Sequence, residues 1–253
     1  MESEKEKIIE DFLFVSKKIL KQPDKIISIA ILLSVMNRTE LIDLIEEGEN
    51  IQCEFKRHFT IPEKIAKEMI AFANTKGGYI LFGIDDDKKV IGIESEKSEA
   101  EMVEDAAKNY CVPPVEYKIN FIMHKGKEIV AVTIPESNYK PHRLQDYRNE
   151  LDTRNAVVMV RVNDKSMRAS KEMVRIMIAN SGNMALKKYS IGENEKTVFE
   201  YLAKKEKISV KELSNLVNIS ERRSSRTLVK MVRANLLVIH KKDNGEEFFT
   251  AAV

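Results

Sequence analysis

The sequence predicts an α+β protein in two folded parts: an α/β-like domain built on a mixed sheet, and a smaller unit of helices ending in a hairpin. Three patterns carry this expectation. Residues 4–48 show only helix-like apolar spacing. Residues 49–180 alternate such stripes with short apolar runs of strand length. Beyond Ser181-Gly182-Asn183 the pattern changes to three capped helices and two strands. The expected organisation is a helical extension over 1–48, a mixed-sheet domain over 49–180, a linker over 181–192 and a C-terminal unit over 193–253.

Each element has a local reason. Ile8, Ile9, Phe12, Leu13, Val15 and Ile19 form one stripe, broken at Pro23. A second helix carries Ile26 to Met36, and a third runs from Thr39 to Glu47 and stops at Gly48. Ile51 to Phe55 reads as a short strand. Pro62 opens a helix at the position where its missing N–H costs nothing, with Ile65, Met69, Ile70 and Phe72 inward and Gly77-Gly78 at its end. Tyr79 to Ile84 is a continuous apolar strand of the kind buried on both faces. Asp85-Asp86-Asp87-Lys88 turns the chain to Val90–Ile93. Ser98 with Glu101 has capping-box spacing for a helix reaching Asn109, stopped by Pro113-Pro114. Val115–Met123 and Glu128–Ile134 form a hairpin. A polar loop over 136–155, a strand over Val157–Val162 and a Ser170-capped helix over Lys171–Ala179 complete the domain.

In the C-terminal unit, Val198, Phe199 and Leu202 mark a first helix. Ser209 with Glu212 caps a second, and Ser220 caps a third bearing Leu228, Val229 and Val232. Leu236–His240 and Glu247–Thr250 are strands joined through Asn244-Gly245, a strong hairpin signal. This order is that of a winged helix-turn-helix, and it resembles the DNA-binding domains of many bacterial and archaeal regulators.

Composition narrows the function classes. The chain has 253 residues and a net charge of only +2. Its charge is unevenly placed: residues 187–253 hold 14 Lys and Arg against 9 Asp and Glu, leaving 28 against 31 elsewhere. A basic C-terminal unit on a slightly acidic body points that end toward phosphate backbone. Cys53 and Cys111 lie too far apart in sequence for a Cys-x-x-Cys site, so neither a disulfide framework nor zinc is expected. The acidic N-terminus does not read as a secretion signal, and Ile26–Met36 is about half a bilayer span. A cytoplasmic setting without membrane association is expected. No Gly-Lys-Ser/Thr signature follows Gly77-Gly78, so no nucleotide cofactor is expected.

The densest motif is Glu49-Asn50-Ile51-Gln52-Cys53-Glu54-Phe55-Lys56, followed by Ala71-Phe72-Ala73-Asn74-Thr75, Gly77-Gly78 and Gly83-Ile84-Asp85-Asp86. In that order these segments resemble the Schlafen AlbA-like (AlbA_2) DNA-binding domain family, over roughly 40–180. The resemblance implies nucleic-acid binding. In Schlafen-type ribonucleases the same motif carries an acidic triad, which maps onto Glu49, Glu54 and Asp85. Three carboxylates of this kind could hold Mg²⁺ or Mn²⁺. The same acids could equally be structural, a Glu paired with Lys56 or Arg57 and an Asp capping a turn. The family's Cys/His zinc site and second lobe have no counterpart here.

Arg222, Arg223, Ser224 and Arg226 open the third C-terminal helix, as expected of a helix reading base edges and phosphates, with Lys241 and Lys242 at the wing. Lys56, Arg57, Arg161, Lys165 and Arg168 are further candidates for phosphate contact. His142, in a segment that also resembles a family loop, is either a catalytic acid or a solvated loop residue. The expected function is a DNA-binding transcription regulator acting as a homodimer on DNA or RNA, with Ile26–Met36 as a seam. The alternatives are a metal-dependent endoribonuclease using Glu49, Glu54 and Asp85, and an interaction module with neither activity.

Overall fold

The structure, a computed structural model, describes residues 36–181 and 191–252. The first expected helix and all but Met36 of the second, the expected dimer seam Ile26–Met36, lie outside the described residues, as does most of the expected linker.

Helix α1 (Arg38–Glu47) is set by its ends. Asn37 Oδ1 accepts from the N–H of Thr39 and Glu40 at 2.8 and 3.0 Å, and Glu40 accepts from the Asn37 N–H at 3.0 Å. Gly48 closes it at φ +86°, a conformation costly to any side chain. Strand β1 (Cys53–Lys56) leads through α2 (Pro62–Asn74) to β2 (Gly78–Phe82), which pairs with it in parallel. Helix α3 (Glu96–Asn109) follows. Its cap is Ser95, which accepts from the Ser98 N–H at 3.3 Å, so the helix starts earlier than the Ser98-Glu101 spacing implies. Val90 makes only an isolated bridge to Ile84, and no strand forms over Val90–Ile93.

Strand β3 (Cys111–Val112) comes next in the chain, and β4 (Lys118–His124) and β5 (Lys127–Ile134) then form the expected hairpin across Lys125-Gly126. The sheet order is β1-β2-β5-β4, with only the β1–β2 pair parallel. Alternation along the strands sends Ile80, Phe82, Val130 and Val132 to α2 and α3, and Cys53, Phe55, Leu81, Ile129 and Ala131 to α1. Two apolar layers result, one on each face, and each fully buried large side chain contributes ~1.5–3 kcal/mol.

Short pieces close the domain over α2. Strand β3 pairs with β6 (Arg143–Leu144), and β7 (Met159–Val162) pairs with β8 (Lys165–Arg168) and packs on α2. The sequence pattern does not announce the β7–β8 hairpin. Asn163 turns it at φ +53°, using the tolerance of Asn for left-handed backbone. Helix α4 (Lys171–Ser181) then begins under the Ser170 hydroxyl.

The C-terminal unit comprises α5 (Glu193–Lys205), α6 (Val210–Leu216), α7 (Glu221–Arg233), β9 (Leu237–Lys241) and β10 (Glu247–Ala251). Ser209 and Glu212 form a capping box on α6, and Ser220 caps α7. Val198, Leu202, Leu213, Leu228, Met231, Leu237 and Phe249 fill its own core. Ile208, between α5 and α6, bridges to Phe249 of the hairpin.

Candidate functional site

Two places hold the residues singled out in the sequence. The first lies where β1 meets α2 and β7. Strand β1 is a sheet edge, and alternation places Cys53 and Phe55 in the α1 layer while Glu54 and Lys56 face the α2 side. There Glu54 meets Arg161, whose side chain is fully enclosed. Arg161 Nη1 donates to Glu54 Oε2 at 2.9 Å, to Glu68 Oε2 at 3.3 Å and to Ser166 Oγ at 3.2 Å. Its Nη2 donates to the Asn50 carbonyl at 2.8 Å, and its guanidinium lies 4.7 Å from the centre of the Phe72 ring. Lys56 takes the other Glu54 oxygen, and Ser166 donates to Glu68.

Asn74 and Thr75 hold this arrangement in register. Asn74 Nδ2 donates to the carbonyls of His142 and Met159 at 2.8 and 3.0 Å, and its Oδ1 accepts from the His142 N–H at 2.7 Å. Thr75 Oγ1 accepts from the Arg161 N–H at 2.9 Å. The end of α2 is therefore a clamp on β7 and on the loop before β6. Glycine is required beside it: a Cβ at Gly78 would sit 2.4 Å from the Phe72 ring and 2.6 Å from the Gln52 carbonyl.

Glu49 is tied down as well, accepting from the Phe55 N–H at 2.8 Å. Burial, then the charge of Glu54, push its carboxyl above the usual range despite that bond. Burial is also the main cause of the raised Glu68 pKa, followed by the charge of Glu54 and partly offset by Ser166, Lys56 and Arg161. Asp85 caps its own turn, Oδ1 accepting from the Asp87 N–H at 2.7 Å, with Arg57 3.9 Å from Oδ2. The structural roles thus account for all three acids. Among the described residues, no three His, Cys, Asp or Glu side chains are grouped to hold a metal ion. The donor set does not fit Mg²⁺ or Mn²⁺, because Glu54 is already claimed by two cations.

Several sequence expectations need correction here. Arg161 cannot reach a phosphate, because it is the buried counter-ion of Glu54 and Glu68. Lys56 is half-buried and paired with Glu54, whereas Arg57, Lys165 and Arg168 are exposed. His142 is neither solvated nor free: Nδ1 bonds to the Pro113 carbonyl at 2.8 Å and Nε2 to Ser137 Oγ at 2.7 Å, and burial lowers its pKa.

The second place is α7. Its buried positions, Ser224, Leu228 and Met231 among them, recur at helical spacing and face the unit's core, leaving Arg222, Arg223 and Arg226 exposed on its first two turns. Ser224 is wholly buried and unavailable to a ligand. At the hairpin Lys241 is nearly covered and paired with Glu247 at 3.2 Å, while Lys242 is exposed beside Glu246. The hairpin tip touches the larger domain, where Asn163 Nδ2 donates to Asp243 Oδ1 at 2.7 Å. No helix among the described residues is long and apolar enough to cross a membrane.

Comparison with known proteins gives partial likenesses. Over 87 residues the chain is 37% identical to an uncharacterized ATP-binding protein of Ureaplasma parvum, which covers 32% of this chain and 24% of that protein. The chain thus spans about a quarter of the length of that relative. An NMR structure of the N-terminal domain of a Nitrosomonas europaea protein, described as related to the ATP-dependent DNA helicase RecG, superposes at a TM-score of 0.36 with 22% identity, over 43% of this chain and 81% of that one. A crystal structure of a Corynebacterium diphtheriae protein superposes at 0.42 with 14% identity, over 80% of this chain and 34% of that one. Neither score identifies a fold. The sequence comparison is more specific: residues 49–170 match the family model described as Schlafen, AlbA_2, and that match supports the AlbA_2 family for this segment.

Proposed function

We propose that the protein binds duplex DNA through its C-terminal unit, acting as a winged helix-turn-helix, and that it serves as a transcription regulator. The observation that carries this reading is the exposure of Arg222, Arg223 and Arg226 on the first half of α7. That half is where a recognition helix contacts base edges and phosphates. The order of α5, α6, α7 and the β9–β10 hairpin supports it, as does the local excess of 14 basic over 9 acidic residues across 187–253. The AlbA_2 match over 49–170 is consistent with a nucleic-acid-related role.

The reading includes a homodimer, since paired recognition helices would match a palindromic site. Light scattering tests that part: a mass near twice 29.1 kDa supports it, and a monomer mass across the micromolar range refutes it. Fluorescence anisotropy on labelled duplex DNA tests the main claim. The Ala triple variant at 222, 223 and 226 should bind more weakly, and unchanged affinity refutes the assignment. The pairing of Glu54 with Arg161 and Lys56 supports DNA binding over metal-dependent RNA cleavage at these acids.

A further inference from the structure

Helix α4 lies beside α7, on the side of α7 turned away from its own core. Along α4, Glu172, Arg175 and the pair Ile178-Ala179 follow at intervals of three or four residues, as do Ser225-Arg226, Val229-Lys230 and Arg233 along α7. The two stripes meet at their N-terminal ends, where Ser225 Oγ donates to Glu172 Oε1 at 2.6 Å. Toward their C-terminal ends the helices leave a groove of about 730 Å³, lined by Arg175, Ile178, Ala179, Arg226, Val229, Lys230 and Arg233. That size lies within the usual range of small-molecule sites, about 300–1,000 Å³.

The lining is polarised. Ile178, which lines the groove with Val229, is 40% exposed, so an apolar surface faces solvent at this point. Four cationic side chains surround that surface. Glu172 of α4 is already engaged by Ser225 and lies 3.9 Å from Arg175. Among the described residues, Arg226 and Lys230 have no ion pair or side-chain hydrogen bond. An apolar floor beside Arg226 and Lys230 matches one ligand chemistry, a hydrocarbon chain or ring carrying an anionic head.

We propose that this groove binds an amphipathic small-molecule anion of the acyl-carboxylate type, and that its occupation opposes DNA binding. The apolar body covers Ile178, Ala179 and Val229, and the carboxylate pairs with Arg226 and Lys230. The second half of the proposal rests on the DNA-binding reading, because Arg226 belongs both to the groove and to the exposed face of α7. One guanidinium cannot pair fully with a carboxylate and a DNA phosphate together, so the two ligands are linked negatively, and each weakens the other by the same factor.

The test uses the full chain with laurate below its micellar concentration, followed by calorimetry first without DNA. Saturable one-to-one binding is expected, with a Kd raised at least tenfold by Lys230→Glu and by Ile178→Ser. Both positions are exposed, and circular dichroism confirms that the variants fold. Dodecyltrimethylammonium, with the same chain and the opposite charge, should not bind. Absence of saturation, or laurate binding that neither substitution weakens, overturns the site, as does equal binding of the cation. Duplex DNA is then added. Laurate should raise the Kd for DNA in the wild type and much less in Ile178→Ser, and unchanged DNA affinity at saturating laurate overturns the linkage. Should the wild type fail to bind DNA at all, the DNA-binding reading fails, while the laurate titration still decides the site.

Discussion

Arg161 Nη1 lies 2.9 Å from Glu54 Oε2 with its side chain fully enclosed, so a buried ion pair joins the edge strand β1 to β7. It sits at the centre of the most distinctive motif in the chain. Glu54 belongs to the Glu-Phe-Lys segment, Phe72 under the guanidinium belongs to Ala-Phe-Ala-Asn-Thr, and Thr75 holds the Arg161 backbone. In this protein the motif builds a structural joint.

That joint predicts a large loss of stability for Arg161→Met. Removing the cation leaves Glu54 and Glu68 facing each other, and breaking a buried pair in this way costs about 3–5 kcal/mol. Glu54→Gln should cost less, because Glu68 still pairs with Arg161. Denaturant titration of both variants checks the order, and equal or negligible losses would contradict it.

Glu68 predicts a pH dependence. Its folded pKa lies above the ordinary 4.5, so the folded protein holds that proton more tightly than the unfolded chain. The resulting stabilisation is complete below pH 4.5 and is lost as pH rises through the raised folded value. Glu68→Gln should therefore flatten the stability profile just above pH 4.5 relative to wild type. Urea midpoints measured from pH 4 to 7 decide this, and parallel profiles would show that Glu68 does not titrate in this way.

Gly78→Ala should destabilise by about 1–3 kcal/mol, the usual range for overpacking a filled core. The added carbon would lie 2.4 Å from the Phe72 ring. Phe72→Leu in the same chain should recover part of that loss by removing the ring atoms. If the melting temperature of Gly78→Ala matches wild type, Phe72 does not pack against Gly78.

Much of this fold is legible because its signals are local. Caps at Ser209 and Ser220, Pro62 at a helix start, and glycines at 48, 77 and 245 fix boundaries without tertiary information. The site is less legible, because burial of charge is a tertiary fact. In Val160-Arg161-Val162, alternation turns Arg161 away from the valines, a pattern that ordinarily means solvent. Here α2 covers that side, and Glu68, at the margin of the α2 apolar stripe, waits there as a partner. Lys165 and Arg168 read in sequence as phosphate contacts because Lys165 to Arg168 has no apolar run to announce a strand. Asn74 lies within a conspicuous motif, but its three bonds to distant backbone have no sequence signature.

The most direct test of the account is the salt dependence of duplex-DNA affinity for the full chain and for its Arg222→Ala, Arg223→Ala, Arg226→Ala variant. Wild-type affinity should fall steeply and linearly on a log–log plot. The variant should bind more weakly at every salt concentration, with a slope shallower by about 0.9 for each DNA phosphate that it no longer neutralises. Equal affinity and equal slope for the two proteins would contradict the placement of the DNA-binding surface on α7.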